Sequence, residues 1–105
     1  MFLKRRIIIQ METPIQITIT HQVTYDGATF NVFHANKGEG LVRHSHTFSH
    51  LTMCHSGSCV LRQEGIEKVI DKYTQPINLK ANEWHEIEAL EDETVFVNVF
   101  AEGKY

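Results

Sequence analysis

Short apolar segments alternate with turn residues along the chain, and none sustains the 3.6-residue period of an amphipathic helix. Residues 15–20 read Ile-Gln-Ile-Thr-Ile-Thr, an alternation rich in β-branched side chains that is typical of a strand. The same criteria predict strands at residues 15–20, 29–34, 41–46, 58–63, 66–70, 77–80, 85–89 and 94–100. Eight or nine short strands, roughly 8–12 residues apart, predict an all-β sandwich or barrel.

The last predicted strand, residues 94–100, is largely apolar on both of its faces. Its alternating positions hold Val95, Val97 and Val99 on one face and Phe96, Asn98 and Phe100 on the other. Because a face left to water is usually polar, we expect both to be covered. One would line the barrel core, and a second chain or the N-terminal strand would cover the other. A homodimer is the simpler expectation.

Length and charge narrow the class of protein. The chain has 105 residues, enough for one domain, and its 42% hydrophobic and 22% charged residues exclude a disordered chain. No apolar run approaches the roughly 18 residues that cross a bilayer, and the stretch after Lys4-Arg5-Arg6 is too short for a secretory signal. A net charge of -3 offers no attraction for nucleic acid or anionic membranes. We therefore expect a cytoplasmic single-domain protein without nucleic-acid or membrane partners.

Histidine is over-represented, with seven residues in the chain, about three times the average usage. His44, His46 and His50 are separated by two and then four residues. On an extended strand all three would point to one face, whereas on a helix His44 would point away from the other two. A fourth imidazole must come from another segment, and His85, at the start of a predicted strand, is the best candidate. Imidazoles that converge in this way suit zinc, iron, copper, nickel and manganese.

These residues also resemble a known family. Gly38-x5-His44-x-His46-x3-His50-x6-Gly57 matches the first cupin motif at every spacing, with His50 where most cupins place glutamate. The second cupin motif is poorly kept: His85 stands at its ligand position, but Lys80, Asn82 and Ala89 replace its proline, glycine and asparagine. The chain resembles small single-domain cupins with four histidine ligands.

The resemblance implies a double-stranded β-helix, a jelly-roll-like barrel over residues 29–100 preceded by an arm or edge strand at residues 1–14. It also implies one divalent first-row transition metal (Mn, Fe, Ni, Zn or Cu) on His44, His46, His50 and His85. We expect a metalloenzyme acting on a small oxygen-rich or carboxylated metabolite. It would be a dioxygenase, or an isomerase or lyase working through a metal-stabilised enolate. The alternative is a non-catalytic binding or sensing module with a metal-organised pocket.

Other side chains are candidates to line the pocket or to transfer protons. Cys54 is in phase with His50, Trp84 adjoins His85, and His34 has the parity of Val32 on its predicted strand. The acid–base candidates, which the sequence does not rank, are His34, His55, Tyr25, Tyr73 and Glu83. Arg43 and Arg62 could bind a substrate carboxylate, although strand arginines are usually solvated. His21 and His55 are expected on the surface.

Overall fold

The computed structural model describes residues 14–101 and 103–104. The predicted arm or edge strand at residues 1–14 therefore lies outside the described residues, apart from its last position. The strands are β1 (Ile15–Gln16), β2 (His21–Tyr25), β3 (Ala28–Ala35), β4 (Glu39–His44), β5 (His50–Ser56), β6 (Ser58–Gln63), β7 (Ile66–Asp71), β8 (Ile77–Leu79), β9 (His85–Ala89) and β10 (Thr94–Ala101). None of the described segments forms a helix long and apolar enough to cross a membrane.

The strands form two five-stranded sheets that face each other. The first sheet has the order β1-β4-β9-β6-β7 and the second has the order β2-β3-β10-β5-β8. Both sheets contribute to one buried apolar cluster, for example Leu61 and Ile87 from the first and Phe33 and Phe96 from the second. The core therefore lies between the sheets, and the all-β prediction is confirmed.

The prediction of one strand over residues 15–20 is wrong. Only Ile15–Gln16 is a strand, and it pairs in parallel with β4 in the first sheet. The backbone N–H of Thr20 instead donates to Val32 O in the second sheet, at 2.8 Å. The segment between these points crosses from one sheet to the other, so it cannot form one continuous strand. The strand β2 that follows was not predicted.

The prediction of a strand over residues 41–46 ends two residues too late. Strand β4 stops at His44, and the next strand, β5, begins at His50 in the opposite sheet. His46 lies in the segment that connects them. The argument that one extended strand places all three histidines on one face is therefore wrong, because the chain changes sheets between the first and the last of them.

The inner face of the second sheet carries more polar side chains than the prediction assumed. Along β3 the buried positions are Thr29, Asn31, Phe33 and Ala35, whereas Val32 is half-buried and His34 is exposed. The prediction that His34 faces the interior is thus wrong, because it took the apolar Val32 as an inward marker. On β10 the two faces divide as predicted, with Phe96, Asn98 and Phe100 buried and the valines half-buried on the outer face.

Gly57 makes the tight connection between β5 and β6, and with it the chain's crossing from one sheet to the other. Its φ of +76° lies in the left-handed region that favours glycine. A Cβ at this position would also fall against the Oγ1 atom of Thr94. Backbone conformation and close packing therefore both require glycine here, at the position that closes the first motif.

Candidate metal centre

Two of the four candidate ligands come from neighbouring strands of the first sheet. His44 ends β4, His85 begins β9, and the antiparallel pairing of these strands sets them directly opposite each other. Their ring centroids are 4.4 Å apart. A β-bulge lies between this pair and the next regular one, Ile87 with Leu41, and such irregularities re-aim side chains at a strand end.

The other two candidates come from the second sheet and from the segment that leads to it. His50 begins β5, and its ring lies 5.2 Å from that of His85. The ring of His46 lies 4.8 Å from that of His44 and 5.1 Å from that of His50. The structure therefore brings together all four histidines that the sequence selected, at one end of the space between the sheets.

Hydrogen bonds fix the orientation of three of these rings. Each uses its Nδ1 atom toward a backbone carbonyl: His44 to Val42 O at 2.6 Å, His50 to Leu51 O at 3.2 Å, and His85 to Glu83 O at 3.2 Å. Because a carbonyl oxygen can only accept, Nδ1 carries the proton and the Nε2 lone pair is left available. This is the arrangement in which histidine binds a metal through Nε2.

Three of the Nε2 atoms have no hydrogen-bond partner. Within the described part of the chain, the fully buried side-chain polar atoms that lack one are the Nε2 atoms of His46, His50 and His85. An unpartnered buried acceptor costs about 1–3 kcal/mol, and here three such atoms lie in one cluster. A cation held between them would satisfy all three at once.

Burial favours the neutral form of three of the imidazoles, those of His46, His50 and His85. Burial, and after it the neighbouring His44, lower the pKa of His85 to about 4. Burial also lowers the pKa of His50 to about 4, although its hydrogen bond to Leu51 opposes the shift. The pKa of His46 is lowered by burial and then by His44. Neutral imidazole is the form that binds divalent metals.

The spacing of the nitrogen atoms fits a single ion. His44, His46 and His85 each offer a ligand atom, and the three atoms all lie within 4.8 Å of one another. Two imidazole nitrogens on one ion can lie up to about 4.2 Å apart, twice a metal–nitrogen bond of about 2.1 Å. Small side-chain shifts would therefore close these three around an ion, with His50 beside them.

A cavity of about 350 Å³ opens next to the histidines. Its walls come from β3, β4, β10 and the segment that crosses between the sheets, and its lining residues are Gln16, Ile17, Thr18, Ile19, Asn31, Phe33, Leu41, His44, His46, Asn98 and Phe100. Phe100 also contacts the cluster directly, with its ring 4.4 Å from that of His50. The space suits a small molecule that reaches the histidines.

The three predicted pocket-lining residues lie elsewhere. Cys54 is buried in the apolar core, where its Sγ donates to Ser56 O at 3.3 Å. Trp84 lines a separate depression and donates from Nε1 to Glu64 at 2.9 Å. The exposed His34 lines a third depression, and its ring lies 5.7 Å from that of His21.

The acid–base and arginine candidates also lie away from the cavity walls. His55, Tyr25, Tyr73 and Glu83 are exposed, as predicted for His55 and for His21. The guanidinium of Arg43 lies over the Trp84 ring at 3.9 Å. Arg62 forms ion pairs with three carboxylates, those of Glu67, Glu86 and Glu88.

Sequence reasoning missed two polar residues of the cavity, Asn31 and Asn98. The predicted alternation of β10 placed Asn98 with Phe96 and Phe100, but did not show whether that face lines the core or the surface. A buried asparagine on an otherwise apolar strand face was the available signal, because such an amide needs a polar partner.

Comparison with known proteins supports the fold through structure rather than sequence. No family model and no curated protein matches the chain. A conserved protein with a double-stranded β-helix domain from Klebsiella pneumoniae subsp. pneumoniae MGH 78578 is similar, with 24% identity and a TM-score of 0.65 over 78% of this chain and 70% of that one. KdgF from Halomonas sp. is similar at 14% identity and a TM-score of 0.69, over 77% of this chain and 74% of that one.

A third similar structure is a cupin-2 domain containing protein from Shewanella frigidimarina NCIMB 400. It shares 9% identity at a TM-score of 0.65, over 82% of this chain and 84% of that one. Together these structures identify the fold as the double-stranded β-helix of cupin proteins, which confirms the predicted fold class. Within that fold, the histidine cluster is compatible with metal binding.

Proposed function

We propose that this chain is a metal-dependent enzyme that acts on a small oxygen-rich or carboxylated metabolite. His44, His46, His50 and His85 would hold one divalent first-row transition metal. The observation that carries the proposal is the set of three buried, unpartnered Nε2 atoms beside a cavity large enough for a small molecule. The hydrogen bonds at Nδ1 support the same proposal, because they hold the rings so that the Nε2 lone pairs can bind a metal without reorganisation.

The chemistry follows from the charge of the ligand set. A divalent ion on four neutral imidazoles would supply strong Lewis acidity, because no carboxylate offsets its charge. The chain's own residues would bind and shield the ligand: Phe33, Phe100 and the crossing residue Ile17 form apolar walls that exclude water. This combination suits an isomerase or lyase, or a dioxygenase, acting on an anionic oxygen ligand.

A binding or sensing module is the second candidate, and one observation favours it. Apart from histidine, the described residues that line the cavity include no aspartate, glutamate, lysine, arginine, tyrosine or cysteine. A reaction that needs side-chain proton transfer would therefore depend on the histidines themselves. A module that only holds its ligand has no such need.

Turnover by the metal-loaded protein separates the two candidates. The protein, purified without a histidine tag, is incubated with small hydroxy acids, keto acids and diketones, and the products are analysed by mass spectrometry. We expect conversion of at least one compound, and its loss in His46→Ala but not in His55→Ala, which changes an exposed histidine. Compounds that bind and are recovered unchanged would favour the binding module. Conversion that survives in His46→Ala would contradict the proposed role of the histidines.

A second copy of the chain is the partner we propose for the outer face of the second sheet. This outer apolar face consists of Val23, Tyr25, Phe30, Val32, Leu51, Met53, Val95, Val97 and Val99. Val23 is 53% exposed and Tyr25 73%. An exposed sheet face with this many apolar side chains is unusual on a monomer and is typical of an interface. Among the described residues, none covers it.

Sedimentation tests this dimer. We expect a dimer at micromolar concentration that Val97→Lys converts to monomer. The control is Val69→Lys, which changes a more exposed valine on the first sheet and should leave the dimer intact. A wild-type monomer would contradict the proposal.

We further propose a cytoplasmic setting, which fits the two free thiols of Cys54 and Cys59.

A further inference from the structure

We propose that Asn31 and Asn98 form a paired amide site that binds a carboxylate of the ligand. The two residues are direct cross-strand partners on β3 and β10, and both are 5% exposed. Directly opposed residues of this kind have Cβ atoms about 4.5–5.5 Å apart and point to the same face. Both side chains line the cavity that also contains His44 and His46. The inference rests on the proposed function, since the same ligand would reach the histidines.

The orientation of each amide is set by another side chain. Gln22 Nε2 donates to Asn31 Oδ1 at 2.8 Å, and Thr52 Oγ1 donates to Asn98 Oδ1 at 2.7 Å. With both oxygens engaged, each asparagine has its Nδ2 donors left over. No described residue accepts a hydrogen bond from either Nδ2, and neither atom is sealed from the cavity. The two NH2 groups therefore form a ready pair of donors.

The charge of the site favours an anionic acceptor. The lining residues described for the cavity include no acidic side chain, so nothing there repels a carboxylate. A carboxylate, which has two oxygens, can accept from both NH2 groups, whereas a carbonyl has only one oxygen to offer them. Apolar walls from Phe33 and Phe100 flank the pair. The expected ligand is a small acid that carries a second oxygen group for the histidine end.

Thr52 joins the amide pair to the candidate metal centre. Its Oγ1 lies 3.3 Å from Nδ1 of His50 and donates to Asn98. The Nδ1–H of His50 is shared between Leu51 O and this hydroxyl, which in turn holds the Asn98 amide. Thr52 is 1% exposed, so this chain of hydrogen bonds is shielded from water. It makes Thr52 a positioning residue for both ends of the ligand site.

Asparagine-to-aspartate substitution removes the NH2 donors and keeps an oxygen acceptor. Asn31→Asp and Asn98→Asp each keep an Oδ1 acceptor for Gln22 or Thr52, so the hydrogen bonds that orient the side chain can survive. Each substitution replaces the NH2 donors by a carboxylate oxygen and adds a negative charge, and both changes disfavour a bound carboxylate. Asn78→Asp is the matched control, because Asn78 is exposed on β8 of the same sheet and does not line the cavity.

The test is NMR of the ¹⁵N-labelled, zinc-loaded full chain. Malonate and L-malate probe the whole ligand site, and azide probes the metal alone. We expect malonate or malate to shift the side-chain NH2 signals of Asn31 and Asn98 saturably. Each aspartate variant should weaken that binding by about tenfold or more while changing azide affinity less than about twofold, and Asn78→Asp should match the wild type.

NH2 signals that do not move at saturation, or an affinity for malonate and malate in both aspartate variants equal to that of the wild type, would overturn the amide site. The wild-type spectra make this test independent of whether the variants fold. Failure of the metal centre is seen separately, as the absence of zinc uptake and azide binding. In that case the same titrations of the metal-free chain decide the amide site, and unmoved NH2 signals overturn it.

Discussion

The two ends of the barrel differ in whether their buried polar groups have hydrogen-bond partners. At the end where β5 passes into β6, Thr94 Oγ1 donates to Glu91 O at 2.8 Å and Cys54 Sγ donates to Ser56 O at 3.3 Å. At the other end, three buried histidine Nε2 atoms have no partner within the described residues. We refer to these as the closed end and the histidine end.

The difference indicates that the closed end stabilises the fold, whereas the histidine end is suited to bind a metal and a ligand. Paired polar groups at the closed end cost little and fix the connection between the sheets. Unpaired acceptors at the histidine end work against folding unless something binds there. Changes at the closed end should therefore affect stability, and changes at the histidine end should affect metal and ligand binding.

The largest effect is expected from His85→Ala, which removes one buried ligand atom. Metal affinity should fall by roughly 100-fold or more, because changes to groups behind the ligands alone cost about 10- to 100-fold. Isothermal titration with zinc measures the change. His55→Ala is the control and should bind zinc as the wild type does. Unchanged affinity in His85→Ala would remove this residue from the site.

Gly57→Ala is expected to destabilise the closed end without affecting the metal. The left-handed backbone alone costs about 1–2 kcal/mol for a residue with a Cβ, and the contact with Thr94 adds to it. A loss of about 2 kcal/mol corresponds to roughly 8–16 °C in the melting temperature of a domain of this size. Metal affinity measured below that temperature should stay within about twofold. A large loss of affinity would mean that the two ends are coupled.

A further effect is expected from pH on the stability of the metal-free protein. Folding holds the pKa of His50 and His85 at about 4, against 6.5 for the ordinary group. Below pH 6.5 the unfolded chain binds protons that the folded chain does not, so stability falls as the pH drops from about 6.5 to about 4. Melting temperatures across this range measure the loss. Zinc should oppose it near pH 6.5, and a metal-free protein that becomes more stable on acidification would contradict the burial of neutral imidazoles.

The sequence predicts the regular parts of this fold well. Residues 58–63 and 85–89 form strands with the predicted bounds, because each begins just after a turn or a polar segment. The predicted bounds are wrong for residues 15–20 and 41–46, and both segments lie where the chain passes from one sheet to the other. The strands over residues 21–25 and 50–56, which follow these crossings, were not predicted. Local alternation carries no signal for such a change of sheet.

At the site too, local sequence spacing identified some residues, and those that depend on pairing between distant strands were missed. The spacing of His44, His46 and His50 selected residues that the structure does bring together, although through a connection between sheets rather than along one strand. Asn31 and Asn98 were missed because their significance depends on pairing across β3 and β10. His34 was misplaced because the prediction took the apolar Val32 as an inward marker, whereas the buried positions of β3 are Thr29, Asn31, Phe33 and Ala35.

The central claim is that the histidine end holds a metal, and the metal content of the untagged protein tests it most directly. Elemental analysis together with native mass spectrometry of the wild type and His46→Ala gives the number of ions per chain. The account predicts about one divalent first-row transition metal per wild-type chain and almost none in the variant. A wild-type protein without metal, whose melting temperature is unchanged by manganese, iron, nickel, copper or zinc, would contradict it.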